Sequence, residues 1–363
     1  MTASRRPLRV AIMYSSHAWR GSATVFATVG RGLLMRGHQV RALVPRPELA
    51  DEFAERGVPV QETNIAHTGW RHARALHRAL TELDADVVVT DRPRDIRLAA
   101  VASLARPVAI VHCLSTPLPA TDLRTRLAYR RVRLTVYLTE RLAADALRVA
   151  PWMGRARRRV IPNGVDCAFF RPDRASGRVF RERHGLGAGP LLVGVGALTP
   201  EKRWDLTLAG LELLGGDAPP LVLCGVGELQ GELQGRAGAL GVDVRFLGAM
   251  REVELVGAYN AATCVVHTRP DEVFALVLIE ALACGRPVLA VAGGGTPELI
   301  GEAGVLVPPE DPRAFADQLQ ALLGDAGRRE ALGAEARRRA EERFTLERMV
   351  DDFEEALGSC VAS

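Results

Sequence analysis

Lysine is almost absent from this chain: 46 of its 363 residues are arginine and a single one, Lys202, is lysine. The bias reads as coding composition, and it makes the one surviving ammonium conspicuous. The six cysteines, Cys113, Cys167, Cys224, Cys264, Cys284 and Cys360, form no C-x-x-C pair and mostly sit among apolar residues. That argues against a zinc site and against a disulfide framework, and they read as free thiols. No apolar run approaches the roughly 20 residues that a membrane-spanning helix needs. The opening "MTASRRPLRV" lacks the apolar stretch of an export signal, so the cytoplasm is the expected location.

What is present reads as soluble and globular: 48% hydrophobic residues, 25% charged residues, and 35 glycines without a repeating period. The length exceeds what one hydrophobic core usually supports, so two domains are expected. Net charge is only +4, yet it is unevenly spread. Residues 1 to 160 carry 27 arginines against 13 acidic side chains, and the remainder carries 30 acids against 19 arginines and Lys202. A basic first half suits an anionic acceptor, a phospholipid surface or nucleic acid, or is simply a set of solvated helix faces.

Short β-branched runs alternate with amphipathic stretches, the pattern of βα units around parallel sheets. The first half contains "LRVAIMY", "QVRALV", "DVVVT", "PVAIVH", "LTVYLT" and "RRVIP". After the aperiodic "NGVDCAFFRPD" the series restarts with "LLVGVGA", "PLVLCG", "DVRFLG", "TCVVHT", "PVLAV" and "GVLVP". The expectation is an α/β protein with two doubly wound, Rossmann-like domains, whose ligands bind outside the carboxyl ends of the strands in a cleft between facing domains. The first would span residues 1–168 and the second 169–345, with a linker near 163 to 178. Residues 346–363 would form a helix crossing back to the first domain.

Five stretches carry candidate chemistry. In "DEVFALVLIEALACG" seven apolar residues separate Glu272 from Glu280. A buried helix over Phe274 to Cys284 would put Glu272 in the preceding loop, and would leave the N–H groups of Phe274, Ala275 and Leu276 open to a phosphate or a sugar hydroxyl. Glu280, drawn out of solvent, would need donors such as the two hydroxyls of a ribose. The plain alternative is one first-turn glutamate and one solvated glutamate. "GALTPEKRWD" places Lys202 and Arg203 after a strand, as a diphosphate would require, or as an exposed pair. "AVAGGGTPELI" offers three glycines, Thr296 as N-cap, Pro297 at the first helical position and Glu298 in the first turn, able to meet a sugar or Lys202. In the first half, Gly21 and Ser22 open a helix in "SSHAWRGSAT". His112 ends the strand of "IVHCLSTP", where a structural and a functional role are equally open.

These pieces in this order resemble the large retaining glycosyltransferase family of GT-B fold known as family 4. The motifs are "VIPNGVDCAFFRP", "TPEKRWD", "VRFLG", "DEVFALVLIEALACGRPVLA", "GGGTPELI" and "GVLVPPED", and the likeness runs from the Gly21 loop to about Phe344. The resemblance implies a nucleotide-diphosphate sugar, UDP- or GDP-linked, held mainly by the second domain, with the acceptor on the first. It implies that Glu280 holds the ribose, that Glu272 and the backbone from Phe274 to Leu276 hold the sugar and phosphates, and that Lys202 neutralises the leaving diphosphate. The Gly21-Ser22 loop would close over it and His112 would sit beside the reacting sugar. It also implies transfer by front-face displacement with no protein nucleophile, no metal and no resident cofactor, the nucleotide sugar being a co-substrate. Three departures from the family pattern involve four positions: Ala197 where an arginine is usual, Ser22 where the second glycine is usual, and Val273 and Ala275 where "E-G-F-G-L" is usual.

Two further readings stand beside transfer: a phosphorylase or nucleotide-sugar epimerase on the same scaffold, and a non-catalytic sugar-nucleotide-binding subunit. Expected partners are the nucleotide-sugar donor, a small-molecule or lipid-linked acceptor, and no nucleic acid. Trp19, Arg20, Trp70, Arg71 and His72 would border the acceptor. The arginines of "LRTRLAYRRVRL" could meet an anionic membrane as a peripheral contact, or could face water while Leu123, Leu127 and Leu134 face the core.

Overall fold

The computed structural model describes residues 6–19, 21–116 and 119–361, so the expectation for Arg20 lies outside the described residues. The chain divides into one unit of residues 1–163 with 346–363, and a second of 164–345. The division falls five residues before the expected boundary at 168, at the end of "VIPN".

In the first unit the strands are β1 (Arg9–Met13), β2 (Gln39–Val44), β3 (Val60–Glu62), β4 (Val87–Thr90), β5 (Ala109–Leu114), β6 (Val132–Tyr137) and β7 (Arg157–Val160). The helices are α1 (Gly21–Met35), α2 (Pro47–Glu55), α3 (Trp70–Glu82), α4 (Pro93–Ala102), α5 (Leu123–Ala128) and α6 (Glu140–Val149). All strand pairs are parallel, in the order β3-β2-β1-β4-β5-β6-β7. Six of these strands fall on runs expected from the sequence, whereas β3 has only three residues, "VQE", on a sheet edge and carries no apolar signal. The other edge, β7, opens with three exposed arginines, charges that discourage strand addition by another chain.

The second unit holds α7 (Arg174–Arg183), β8 (Leu192–Val195), α8 (Trp204–Leu214), β9 (Leu221–Cys224), α9 (Gln230–Leu240), β10 (Val244–Gly248), α10 (Glu252–Ala261) and β11 (Cys264–His267). There follow α11 (Leu276–Ala283), β12 (Val288–Val291), α12 (Thr296–Ile300), β13 (Gly304–Val307), α13 (Pro312–Gly324) and α14 (Ala326–Arg343). Its sheet is parallel throughout, in the order β10-β9-β8-β11-β12-β13. In both sheets the chain winds outward from its first strand and then returns to that strand's other side, so the switch points lie at β1/β4 and β8/β11.

The apolar character of α11 follows from its place. It packs on α14, α12 and β12, and Leu278, Ile279, Ala281 and Leu282 are fully buried. Each such large side chain contributes about 1.5–3 kcal/mol of burial. The last helix, α15 (Leu346–Val361), belongs to the first unit, where Met349, Val350, Phe353 and Leu357 join the core built on β1, β2 and α1.

Candidate functional site

The second sheet's switch point brings together two loops far apart in sequence. Strand β8 runs into residues 196–203 and its neighbour β11 into residues 268–275. A short 3-10 turn, Pro200–Lys202, ends at Arg203, whose backbone is left-handed with φ of 54° and redirects the chain into α8. Trp204, buried at the start of that helix, donates its indole N–H to the Ala197 carbonyl at 2.9 Å. Thr268 donates its hydroxyl to the Lys202 carbonyl at 2.8 Å, so a side chain of one loop is tied to the backbone of the other.

The tie sets the side chains. Lys202 Nζ donates to Glu272 Oε2 at 2.8 Å, with both side chains largely withdrawn from water. Arg269, which the sequence reasoning did not single out, stands 3.7 Å from the same carboxylate and 2.9 Å from Asp271. Its signal was the "RPD" turn after β11, a strand-end arginine. His267 lies beneath, with Nε2 4.0 Å from Glu272 Oε2 and without a hydrogen bond. Burial first, and then the charges of Lys202 and Arg269, push its ring down to about 3, so it is neutral at ordinary pH. Two cations, a carboxylate and a neutral imidazole at one switch point form a place where an anionic group can be exchanged for Glu272.

Arg203 does not join this group. Its guanidinium is taken up by Asp205 at 3.1 Å and Glu310 at 3.3 Å. Glu298 does not meet Lys202, which is engaged by Glu272; Arg339 donates to the Glu298 backbone carbonyl at 2.7 Å.

The helix after the loop opens later than expected. Phe274 and Ala275 precede α11, with Ala275 as the N-cap, so the N–H groups of the helix's own first turn begin at Leu276. The extended Ala275 lets Phe274 turn inward, where it is buried against Phe344. Glu280, in the second turn of α11, accepts from the Tyr259 hydroxyl at 2.7 Å. Loss of solvent pushes its carboxyl up to about 7, against the hydrogen bond from Tyr259, which favours the anion.

The glycine run after β12 is shaped by this loop. A Cβ on Gly293 would meet the Pro270 carbonyl oxygen at 1.8 Å, and one on Gly294, at φ of 51°, would meet the Glu272 carbonyl oxygen at 2.1 Å. Gly295 N–H donates to that Glu272 oxygen at 2.7 Å. The glycines therefore bring backbone close to the Glu272 loop of the chain itself. The N-cap of α12 is Gly295, so Thr296 is its first helical residue and Pro297 its second, one position later than expected.

In the first unit Gly21 opens α1, and a side chain there would meet nothing within 4 Å. His112 lies inside β5 rather than at its end, paired in register with Thr90 and Thr135. It is buried, its Nδ1 is 3.1 Å from the Tyr129 hydroxyl, and burial pushes it down to about 3. It is thus a neutral strand residue, and its Nε2 is buried without a hydrogen-bond partner among the described residues. Trp19 packs edge-on against Phe53 with Arg56 over its ring, while Trp70 is exposed. Leu134 is buried, but Leu123 and Leu127 are 67% and 53% exposed, which removes the alternative in which all three face the core. The six-residue α5 is too short to bury them and carry its arginines outward at once.

The first unit's switch point holds a polar group that the sequence reasoning passed over. Ser15 and Ser16 follow β1, and Asp91, Arg92, Arg94 and Asp95 follow β4. Arg92 donates to the Ser16 hydroxyl at 2.8 Å, Arg94 to the Ser15 hydroxyl and carbonyl at 2.6 Å, and Ser15 to the buried Asp95. Burial lifts the Asp95 carboxyl to about 6. The signal was "TDRPRD", charge stacked directly behind the three valines of β4.

Comparison with known proteins now joins the geometry. Residues 19–169 match the model described as Glycosyltransferase Family 4, and residues 178–339 the model described as Glycosyl transferases group 1. A D-inositol 3-phosphate glycosyltransferase 1 of Catenulispora acidiphila is 32% identical over 334 residues, covering 81% of this chain and 78% of that protein. The chain belongs to the group 1 glycosyltransferases of family 4. A D-inositol 3-phosphate glycosyltransferase of Salinispora tropica is 36% identical over 62% of this chain and 49% of its own length. The chain spans about half the length of the first such curated relatives. Among solved structures, Anabaena HepE in complex with UDP superposes with a TM-score of 0.85 at 19% identity, covering 97% of this chain and all of that one. A glycosyltransferase from Rickettsia africae gives 0.86 at 15%, covering 98% and 99%. These likenesses establish the fold of this family 4 chain as GT-B, two Rossmann-like units.

Proposed function

We propose that this chain transfers a sugar from a nucleotide-diphosphate sugar to an acceptor hydroxyl, with the donor held at the β8/β11 switch point. The observation that carries the reading is the Lys202–Glu272 pair at 2.8 Å, backed by Arg269: a cationic pair whose carboxylate can yield to a diphosphate. In this reading the diphosphate takes Lys202 and Arg269, Glu272 turns to the sugar hydroxyls, and Glu280 takes the ribose. Arg203 remains on Asp205 and Glu310. UDP is the proposed nucleotide, supported by the family neighbours solved with UDP and UDP-glucose. Departure of the diphosphate is eased by fixed positive charge, which supports a metal-independent, retaining, front-face reaction in which the leaving phosphate accepts the acceptor's proton.

A thermal-shift screen of UDP, GDP and ADP tests the nucleotide, since a ligand that binds only the folded chain raises its Tm by mass action. UDP is expected to give the largest rise, undiminished by chelator. A larger rise with GDP would replace the base, and no rise with any of them would sink the donor reading. Consumption of UDP-sugar without acceptor would favour an epimerase.

The acceptor is assigned to the first unit's switch point, where Arg92 and Arg94 suit an acceptor carrying a phosphate. The names of the curated relatives support that class. Turnover with inositol 3-phosphate but not inositol is the expected result, and equal turnover would remove the phosphate from the account. A peripheral membrane contact is proposed through α5, where Leu123 and Leu127 are exposed beside Arg124 and Arg126. Sedimentation with phosphatidylglycerol vesicles, lost on Leu123→Ser with Leu127→Ser, is the expected outcome; no sedimentation of the native chain would end the idea.

A further inference from the structure

The amino-terminal edge of the second sheet carries a groove that the donor reading does not use. It has a volume of about 870 Å³ and passes the starts of β11 and β12 at Thr263 and Pro287. Six arginines line it, Arg174, Arg181, Arg286, Arg329, Arg337 and Arg338, against two glutamates, Glu330 and Glu341. Glu341 is bound by Arg337 at 2.7 Å, and Arg338 is held by Glu335 and Glu342.

The other four arginines have no carboxylate within ion-pair distance among the described residues. Arg286 donates to Asn260 Oδ1 at 3.1 Å and to the carbonyls of Cys284 and Ala262. Arg181 donates to the carbonyls of Ala261, Gly187 and Gly189, and Arg329 to those of Leu322 and Leu323. Arg174 is exposed at the first turn of α7. Neutral carbonyls fix the direction of a guanidinium without cancelling its charge. Burial makes Arg286 a weaker base than usual; Cys284 opposes this, while the charges of Arg174 and Arg181 add to it, so the cations of this groove work against one another.

Uncompensated guanidinium forks in a concavity of this size are suited to several phosphate groups of one small molecule. The groove is also a separate place from the Lys202–Glu272 pair. Strands β11 and β12 are four residues long, which puts roughly 13 Å of sheet between the two edges. We propose that this groove binds a small oligophosphate, as a second anion site distinct from the donor diphosphate.

Tripolyphosphate titrated calorimetrically into the full chain at physiological salt tests this, with the Lys202→Ala chain used to remove the donor-edge cation. Binding is expected to persist in Lys202→Ala and to weaken at least about tenfold in Lys202→Ala with Arg174→Glu, and likewise with Arg286→Gln. Arg174 is exposed and unbonded, so its reversal keeps the test valid if Arg286→Gln disturbs the fold. Loss of all binding in Lys202→Ala, or binding indifferent to both arginine substitutions, would overturn the proposal. So would native chain that sediments with vesicles of equal parts phosphatidylcholine and phosphatidylglycerol, loses this on Arg174→Glu, and is not displaced by tripolyphosphate: the groove would then belong to a lipid surface.

Discussion

Lys202 and Glu272, 70 residues apart in sequence, meet at 2.8 Å because β8 and β11 are neighbours at the point where the sheet changes winding direction. The loop bearing Glu272 is held from behind by Gly293 to Gly295, so its geometry depends on residues that carry no functional group. Gly294→Ala must accept a left-handed backbone, about 1–2 kcal/mol, and a Cβ driven into the Glu272 carbonyl. The expected outcome is a lower Tm together with lost UDP binding, whereas Gly21→Ala, with open space around it, leaves the Tm unchanged. Calorimetric scans and UDP titration of both variants check this; an unperturbed Gly294→Ala chain would show that the loop is not held this way.

In the proposed donor site, Glu280 ties nucleotide binding to pH. Its carboxyl is raised to about 7 from an ordinary 4.5, so the folded chain holds a proton there that the unfolded chain has released. The resulting penalty is absent below about pH 4.5, grows as pH rises, and is complete above about pH 7. Glu280→Gln is therefore expected to gain Tm relative to the native chain as pH rises through this window. If the ionised carboxylate accepts the ribose hydroxyls, native affinity for UDP climbs as pH rises through 7. The Gln variant would bind roughly tenfold or more weakly without that climb, since a bond to a charged acceptor contributes about 1.5–3 kcal/mol. UDP titrations across the pH range separate these outcomes.

His112 and His267, one in each unit, have the opposite sign. Each is pushed down to about 3, so below pH 6.5 the unfolded chain takes up protons that the folded one refuses. Stability present above pH 6.5 is lost as pH falls toward 3. His112→Asn, which can keep a hydrogen bond to Tyr129, should flatten the fall of Tm below pH 6.5. An unchanged acid slope would place the titration elsewhere.

Strand content was legible because a parallel sheet covered on both faces needs apolar runs, and the central strands β1, β4, β8 and β11 supply them. The three residues of β3 could not be read, having no apolar run to show. Glu272 and Lys202 were legible from strand-end position. Their bond was not, since it depends on which strands are neighbours. Arg269 and the Ser15–Asp95 group were missed for a shared reason: charged residues behind strands look like ordinary solvated loops until the switch point assigns them a common edge. Arg203 was misplaced because sequence shows a fork beside Lys202 but not the left-handed turn that swings it to Glu310. For His112 the strand was legible, but not the register that pairs it with Thr90 and Thr135.

The central claim is that Lys202 is the cation for the donor's diphosphate. Calorimetric titration of UDP and UMP into the native and Lys202→Ala chains tests it most directly, because the two ligands differ by one phosphate. The account predicts that UDP affinity falls by about tenfold or more in the variant, as expected on losing a close charge partner, while UMP affinity stays the same. Equal weakening of both ligands, or undiminished binding of UDP, would contradict it.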